Sequence, residues 1–357
     1  MLVKPGIYLI AAFLLLQCIP FHTSAQESNL DYATIDRRIS QVLDSTGIPG
    51  FSIVILNAGQ ADFIKSYGYR SMESKEAVNQ QTRFEAASLT KPILAYCVLK
   101  LMEQEKIELD KPLYQYLEYA DLAHTNRYKL ITARMVLSHT SGLPNWRKDR
   151  KSPKLKLLRK PGSKFGYSGE GFVYLQKVVE HILNSDLNSI ARKFIFSPLK
   201  MENSSLVFEE NGNYALGHNK SHTPRKKSKP NKANAAYSLH TTAEDYGKFI
   251  HELIDPAFID KTLIKQAFAT QSLMKKEDPS LGWGLGMGIN QTEIDQYIWH
   301  WGDNGVFKAF FIFSPQQQRG FVYFSNSQNG LSIVKRIISW VFAEESIMEN
   351  WVYYNQF

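Results

Sequence analysis

The sequence predicts an α/β fold of the α+β kind: an antiparallel sheet flanked by helices, with an all-helical domain inserted between the two stretches of chain that build the sheet. Three observations predict it. Strand periodicity occupies the early and the late part of the chain, helical periodicity fills the middle, and a hairpin signal stands in each strand-rich zone. The composition permits such a fold. A chain of 357 residues, 44% hydrophobic and 21% charged, can bury a full core and is unlike disordered, collagen-like or coiled-coil sequences. Two cysteines, Cys18 and Cys97, exclude a disulfide scaffold.

The chain opens with Lys4, an apolar run over 7–16 and the small residues Thr23-Ser24-Ala25 before Gln26, the pattern of a secretory signal peptide over 1–25. The run is shorter than the ~20 apolar residues of a membrane span, and Gln17 and Pro20 interrupt it. Lipidation at Cys18 would want a small residue before it, where Gln17 stands. The expectation is an exported protein, periplasmic or associated with the cell envelope, with no stable membrane span after leader removal. Cys97 is then the only thiol, in an apolar stretch that suits a small core residue.

The first sheet domain is expected over 26–87 with 275–357. Ile35, Ile39 and Val42 space a helix over 31–43, and Gly47-Ile48-Pro49-Gly50 ends it. Strands follow at 51–56 and 62–69 around Asn57-Ala58-Gly59. The mainly helical domain, 88–274, carries helices at 88–104, 132–137, 171–183 and 242–254. Strands return at 285–289, 296–301, 308–313 and 320–324, the last two joined by a turn from Ser314 to Gly320. A final helix over 331–342 would cover one face of the sheet. A cleft between sheet and helices is the natural place for a site.

Ser88-Leu89-Thr90-Lys91 sets a hydroxyl and an amine one helical turn apart, so that the amine can take the serine proton once burial or a cationic neighbour has displaced its own. The spacing alone is weak, because it recurs at Ser197/Lys200, Ser272/Lys275 and Ser332/Lys335. Only Ser88 stands where an extended segment, 83–87, meets an apolar helix, close to free N–H groups that hold developing negative charge. Position alone leaves two readings: a nucleophile with its base, or an N-cap serine with a solvated lysine.

Further segments decide between them. Leu137-Ser138-His139-Thr140-Ser141-Gly142-Leu143-Pro144, the stretch from Pro161 through Tyr167-Ser168-Gly169, and His300-Trp301-Gly302-Asp303 follow in order, and Ala235 to Asp245 adds a fourth. With these the chain resembles the serine β-lactamase and penicillin-binding protein family, in the branch of class C β-lactamases, D-amino-acid peptidases and related esterases. The resemblance covers roughly 31–345. It implies a β-lactamase/transpeptidase-like fold with Ser88 as nucleophile, Lys91 as its partner and Tyr167 passing the proton to the leaving group. It also sets His300 beside them, to bond substrate or tune Tyr167 while partly charged at neutral pH. Gly302 would let the backbone approach the substrate, and the N–H groups of Ser88 and Asp303 would form the oxyanion hole. No cofactor and no metal are implied.

Two departures point away from β-lactams. Gly169 stands where the family's tyrosine motif ends in asparagine, which leaves a substrate-binding position without its amide, and Glu170 beside it reads as a solvated carboxylate. Trp301 replaces a small residue and would narrow or re-aim the cleft. Basic residues crowd 147–160 and 220–232 on a chain of net charge +8, which suggests an anionic substrate or envelope polymer. Nucleic acid is not expected, since no matching module is present. A nucleophile elbow fails at Glu170, and the pair His218/His222 lacks the glutamate of a zinc protease, with Asn219 in its place. The expected function is an exported serine hydrolase that forms an acyl-enzyme from an ester or amide, as an esterase or D-amino-acid peptidase acting on a small molecule or peptide. The alternatives are a true β-lactamase and a catalytically silent interaction protein.

Overall fold

The computed structural model describes residues 1–2, 30–149, 152, 154–210, 212–225, 227–342, 344 and 346–348. Apart from Met1 and Leu2 the expected leader lies outside the described residues, as does the aromatic tail 351–357. Contacts separate Met1–Asp31 from Tyr32–Phe357, and the fold belongs to the second unit.

Helix α1 (Tyr32–Thr46) buries Ile35, Ile39, Val42 and Leu43, one stripe at helical spacing. It ends where Gly47 turns left-handed at φ +63° and Ile48 N–H reaches back to the Leu43 carbonyl. Strands β1 (Gly50–Asn57) and β2 (Gln60–Gly68) form the first hairpin. Its two-residue turn has positive φ at both Ala58 and Gly59, the twist that antiparallel strands require. Next come β3 (Phe84–Glu85), α2 (Thr90–Glu103), α3 (Ala133–Leu137), α4 (Gly169–Leu183), α5 (Leu187–Ala191), β4 (His240–Thr241), α6 (Ala243–Ile254) and α7 (Lys261–Ala267). Then β5 (Ser272–Lys275), β6 (Asp278–Trp283), β7 (Gly288–Gln291), β8 (Gln296–Asp303), β9 (Lys308–Ser314), β10 (Arg319–Ser325) and α8 (Val334–Val341) complete the unit.

Eight strands make one antiparallel sheet in the order β2-β1-β10-β9-β8-β7-β6-β5, so β1 pairs with β10 and the sheet draws on both ends of the sequence. Its two faces differ. Val54, Phe311, Val322 and Phe324 share a core with α2 and α6, whereas Phe51, Phe310, Phe321 and Tyr323 stack on the opposite face. The short ribbon β3–β4 pairs Glu85 with His240 and leads the chain into α2.

Three differences from the sequence reading have physical reasons. The strand expected over 285–289 begins only at Gly288, because Gly286 sits at φ +87° in a tight turn. Strands β5 and β6 lie at one end of the sheet and carry Lys275, Pro279 and Gly282, residues that mask an edge strand in sequence. The short helices α5 and α7 are too brief for a periodic signal.

Candidate active site

The segment before Ser88 is held from several sides. Ala86 N–H donates to the Leu239 carbonyl at 2.8 Å, and Ala87 is buried in the left-handed region at φ +50°. Ser88 lies in the single 3-10 turn Ala87–Leu89 that feeds α2. The Thr90 hydroxyl donates to Ala87 O at 2.6 Å and accepts from Leu239 N–H at 3.0 Å, and the Tyr246 hydroxyl donates to Leu89 O at 2.9 Å. None of these bonds uses the Ser88 side chain. The other three Ser-x-x-Lys pairs have exposed lysines, so burial separates Ser88/Lys91 from them.

Lys91 is fully buried, and its Nζ lies 3.0 Å from Ser88 Oγ and donates to the Ala236 carbonyl at 2.9 Å. The ring of Tyr167 is 4.7 Å and that of Phe172 5.6 Å from the same nitrogen. Among the described residues no carboxylate pairs with it. Desolvation therefore drives its pKa well below the usual lysine range, which favours the free amine, the form that accepts the Ser88 proton.

Ser88 and Tyr167 open onto one cleft of about 610 Å³, shared with Glu85, Trp146, Tyr237 and Trp301. Trp301 forms its wall with its ring centroid 5.1 Å from that of Tyr167. Also in its lining, Trp146 meets Tyr237 edge-on at 5.7 Å. Asp303 also lines the cleft, with its carboxylate paired to Lys308 and accepting from Gly305 N–H.

Several sequence expectations are corrected here. His300 does not line the cleft: it is buried, its Nδ1–H donates to the Trp301 carbonyl at 2.7 Å, and its ring centroid is 6.3 Å from that of Tyr167. Burial, with Lys91 nearby, pushes its pKa down to about 3, so it is neutral rather than partly charged. At Gly302 the structure shows a close approach within the protein itself, apart from the expected approach to substrate. A Cβ there would stand 2.4 Å from Ala86 O, so glycine lets β8 close on the nucleophile turn.

Gly169 is the buried first residue of α4. Its N–H donates to Asn145, and a Cβ would meet Asn145 O at 2.8 Å and the Trp146 ring at 2.9 Å. Trp146 and Asn145 thus occupy the space that a side chain at 169 would need. Glu170 is buried too, in a bidentate pair with Arg147, which also reaches Asp121 at 2.8 Å. Basic residues Lys148, Lys154, Lys156 and Lys160 are exposed outside the cleft lining. His218 and His222 each bond backbone groups, Met72 N–H and Gly47 O respectively.

His240, like His300, is buried with its pKa pushed down to about 3. A histidine in the unfolded chain titrates near pH 6.5. Above that pH neither state binds the proton; below it only the unfolded state does, until the folded pKa is reached. Stability should therefore fall as pH drops from 6.5 toward 3, by ~1.4 kcal/mol per pH unit for each such histidine. Urea titrations at pH 7, 5.5 and 4.5 check this, and His240→Phe should flatten the slope.

The sequence reading missed the Ala236 carbonyl, which is a backbone group and carries no side-chain signal. It also missed Glu85 on β3 and the loop residues Asn145, Trp146 and Asn304, which become cleft lining only when distant segments meet. Proximity to the motifs was the available signal for Glu85, three residues before Ser88, and for Asn145 and Trp146, just past Pro144.

A family model described as Beta-lactamase matches residues 35–338. Protein flp of Staphylococcus aureus (strain MRSA252) is 25% identical over 82% of this chain and 62% of its own, so the chain spans somewhat under two thirds of that relative. A solved class C beta-lactamase superposes with TM-score 0.75 at 21% identity, over 89% of this chain and 98% of the other. The D-alanine carboxypeptidase AmpC from Burkholderia cenocepacia gives TM-score 0.74 at 18% identity, over 86% and 98%. At these identities the structural likeness establishes the fold.

Proposed function

This chain belongs to the Beta-lactamase family, and from that premise we propose that it is a serine hydrolase forming an acyl-enzyme on Ser88 with an ester or amide substrate. One observation carries the reading: a fully buried, desolvated amine lies 3.0 Å from the Ser88 hydroxyl at the wall of an open cleft. In this reading Lys91 draws the proton from Ser88 Oγ as Oγ attacks the acyl carbon. The backbone N–H groups of Ser88 and Asp303 receive the oxyanion, and Tyr167 returns a proton to the leaving group. Tyr167 recovers its proton from Lys91; water, losing a proton to the free Lys91 amine, then attacks the acyl carbon, the Oγ–acyl bond breaks, Ser88 Oγ takes that proton back and the acid is released.

Charge supports an uncharged acyl substrate over an anionic one, and the lining carboxylates are themselves paired, Glu85 with Lys227, Glu170 with Arg147 and Asp303 with Lys308. Among the described residues lining the cleft, Arg147 is the one cation, and Glu170 and Asp121 already neutralise it. The lining carboxylates are Glu85, Glu170 and Asp303. His300 is uncharged and buried outside the cleft lining. A substrate carboxylate entering this cleft would find no unpaired cation among those residues, which favours simple acyl esters and uncharged amides over β-lactams. The leader pattern over 1–25 supports export to the cell envelope, where such acyl groups on peptides and polymers are available. N-terminal analysis of the protein recovered from the envelope fraction tests that part.

A panel of nitrocefin, p-nitrophenyl acetate and butyrate, and a D-Ala-D-Ala dipeptide tests the substrate class. The short esters should give the highest kcat/KM. Nitrocefin as the best substrate would instead identify a β-lactamase, and no turnover of any, with no covalent labelling of Ser88, would favour a silent binding protein.

A further inference from the structure

We propose that His139 positions Tyr167 for proton transfer by holding the chain on both sides of it. The proposal rests on the reading of Tyr167 as the group that protonates the leaving group. The Gly166 N–H donates to the His139 carbonyl at 2.7 Å, and the Ser168 N–H donates to the His139 ring at Nδ1, 3.1 Å away. One residue thus takes the amide hydrogens immediately before and after Tyr167. The histidine ring also lies against the tyrosine, with 4.2 Å between centroids.

The backbone at His139 is in a conformation that histidine seldom adopts. Helix α3 closes with Thr140 N–H on Met135 O at 2.7 Å and His139 N–H on Val136 O at 3.1 Å, the paired bonds of a Schellman cap. The residue at the centre of such a cap is left-handed and usually glycine; here it is His139 at φ +56°. Left-handed backbone recurs at exposed non-glycine positions such as Lys75, Glu105 and Lys200, so what sets His139 apart is its buried ring. That ring is fully buried among Phe165, Phe172 and Trp283, with ring centroids 5.7, 5.2 and 5.0 Å away.

Because an N–H donates into Nδ1, that nitrogen carries a lone pair and the proton sits on Nε2. Burial, with Lys91 and His300 nearby, holds the ring neutral. A protonated ring would present a second N–H to the Ser168 amide and break the clamp. The start of α4 is secured separately, since the Ser168 hydroxyl accepts from Gly171 N–H and donates to Pro144 O, both at 2.9 Å. His139 is therefore free to set the tyrosine without being needed to start the helix. Small displacements of an acid–base group are costly to rate, so the clamp bears on turnover.

The test uses leaving groups of different need. Methanol must be protonated as it departs, whereas p-nitrophenolate leaves without help, so kcat/KM for methyl butyrate and p-nitrophenyl butyrate separates proton delivery from everything else. Tyr167→Phe should lose ~100-fold on the methyl ester and under ~10-fold on the p-nitrophenyl ester. His139→Ala should show the same asymmetry. His139→Asn, which tolerates the left-handed backbone and offers an acceptor oxygen, should recover part of the methyl-ester rate. His139→Leu fills the pocket without an acceptor and takes the place of the alanine variant if that one does not fold. Equal losses on both esters in the His139 variants, beside an asymmetric Tyr167→Phe, would overturn the clamp alone. A symmetric Tyr167→Phe, or a wild type inactive on both esters, would overturn the reading of the tyrosine or of the function, and the clamp with it.

Discussion

Ser88→Ala is expected to abolish turnover, by ~10⁴-fold or more, while leaving the melting temperature of the protein within a few degrees of wild type. The rate loss follows from removing the atom that bonds to the acyl carbon. The retained fold follows from how the turn is held. Ala86, Ala87, Leu89, Thr90, Leu239 and Tyr246 supply the bonds that fix it, and among the described residues the Ser88 hydroxyl bonds only Lys91. Intact mass after exposure to a fluorophosphonate should show one adduct on the wild type and none on the variant. Near-normal turnover in Ser88→Ala would end the assignment. The absence of an adduct on either protein would point to a silent member of the family.

Lys91→Met should reduce kcat/KM by at least ~100-fold and leave stability unchanged or higher. Methionine nearly matches the volume of the side chain and needs no hydration, whereas the amine is buried with two partners, Ser88 Oγ and Ala236 O. Activity and stability would then move in different directions, as expected where a site retains a costly group for chemistry. The wild-type pH profile gives a second check. Depression of the Lys91 pKa means the free amine persists to lower pH than for an ordinary lysine, so the acid limb of kcat/KM should lie well below pH 10.5. A profile that rises only above pH 10, or a Lys91→Met variant that keeps its rate while melting earlier, would show that Lys91 has a structural role alone.

Much of the fold was legible because the signals that encode it act over a few residues. The stripe Ile35–Ile39–Val42 and the pair Ala58-Gly59 determine α1 and the first hairpin with little help from elsewhere. Serine at the junction of an extended segment and an apolar helix was legible for the same reason, and Lys91 followed from helical spacing. The motifs supplied their order along the chain, and family resemblance supplied the roles. Trp301, which the sequence offers as a bulky residue at the site, lines the cleft.

What local sequence could not decide is which charges are buried and what meets them. Glu170 reads as solvated until Arg147, 23 residues away in sequence, folds onto it. His300 reads as a site residue on a strand, yet the strand's alternation, with α2 packed on one face, turns it into a neutral core group while Trp301 faces the cleft. Gly302 is required by the Ala86 carbonyl across a gap of more than 200 residues in sequence, and Gly169 by Asn145 and Trp146. Lys91 illustrates the division. Its place beside Ser88 is written in the sequence; the loss of its water, which makes it a base, depends on Tyr167 and Phe172 at the start of α4 and on the Ala236 carbonyl, which arrive from two distant segments. Sequence determined the positions of the reacting groups through short-range geometry, and tertiary structure decided their protonation states, because desolvation is a property of everything that surrounds a charge.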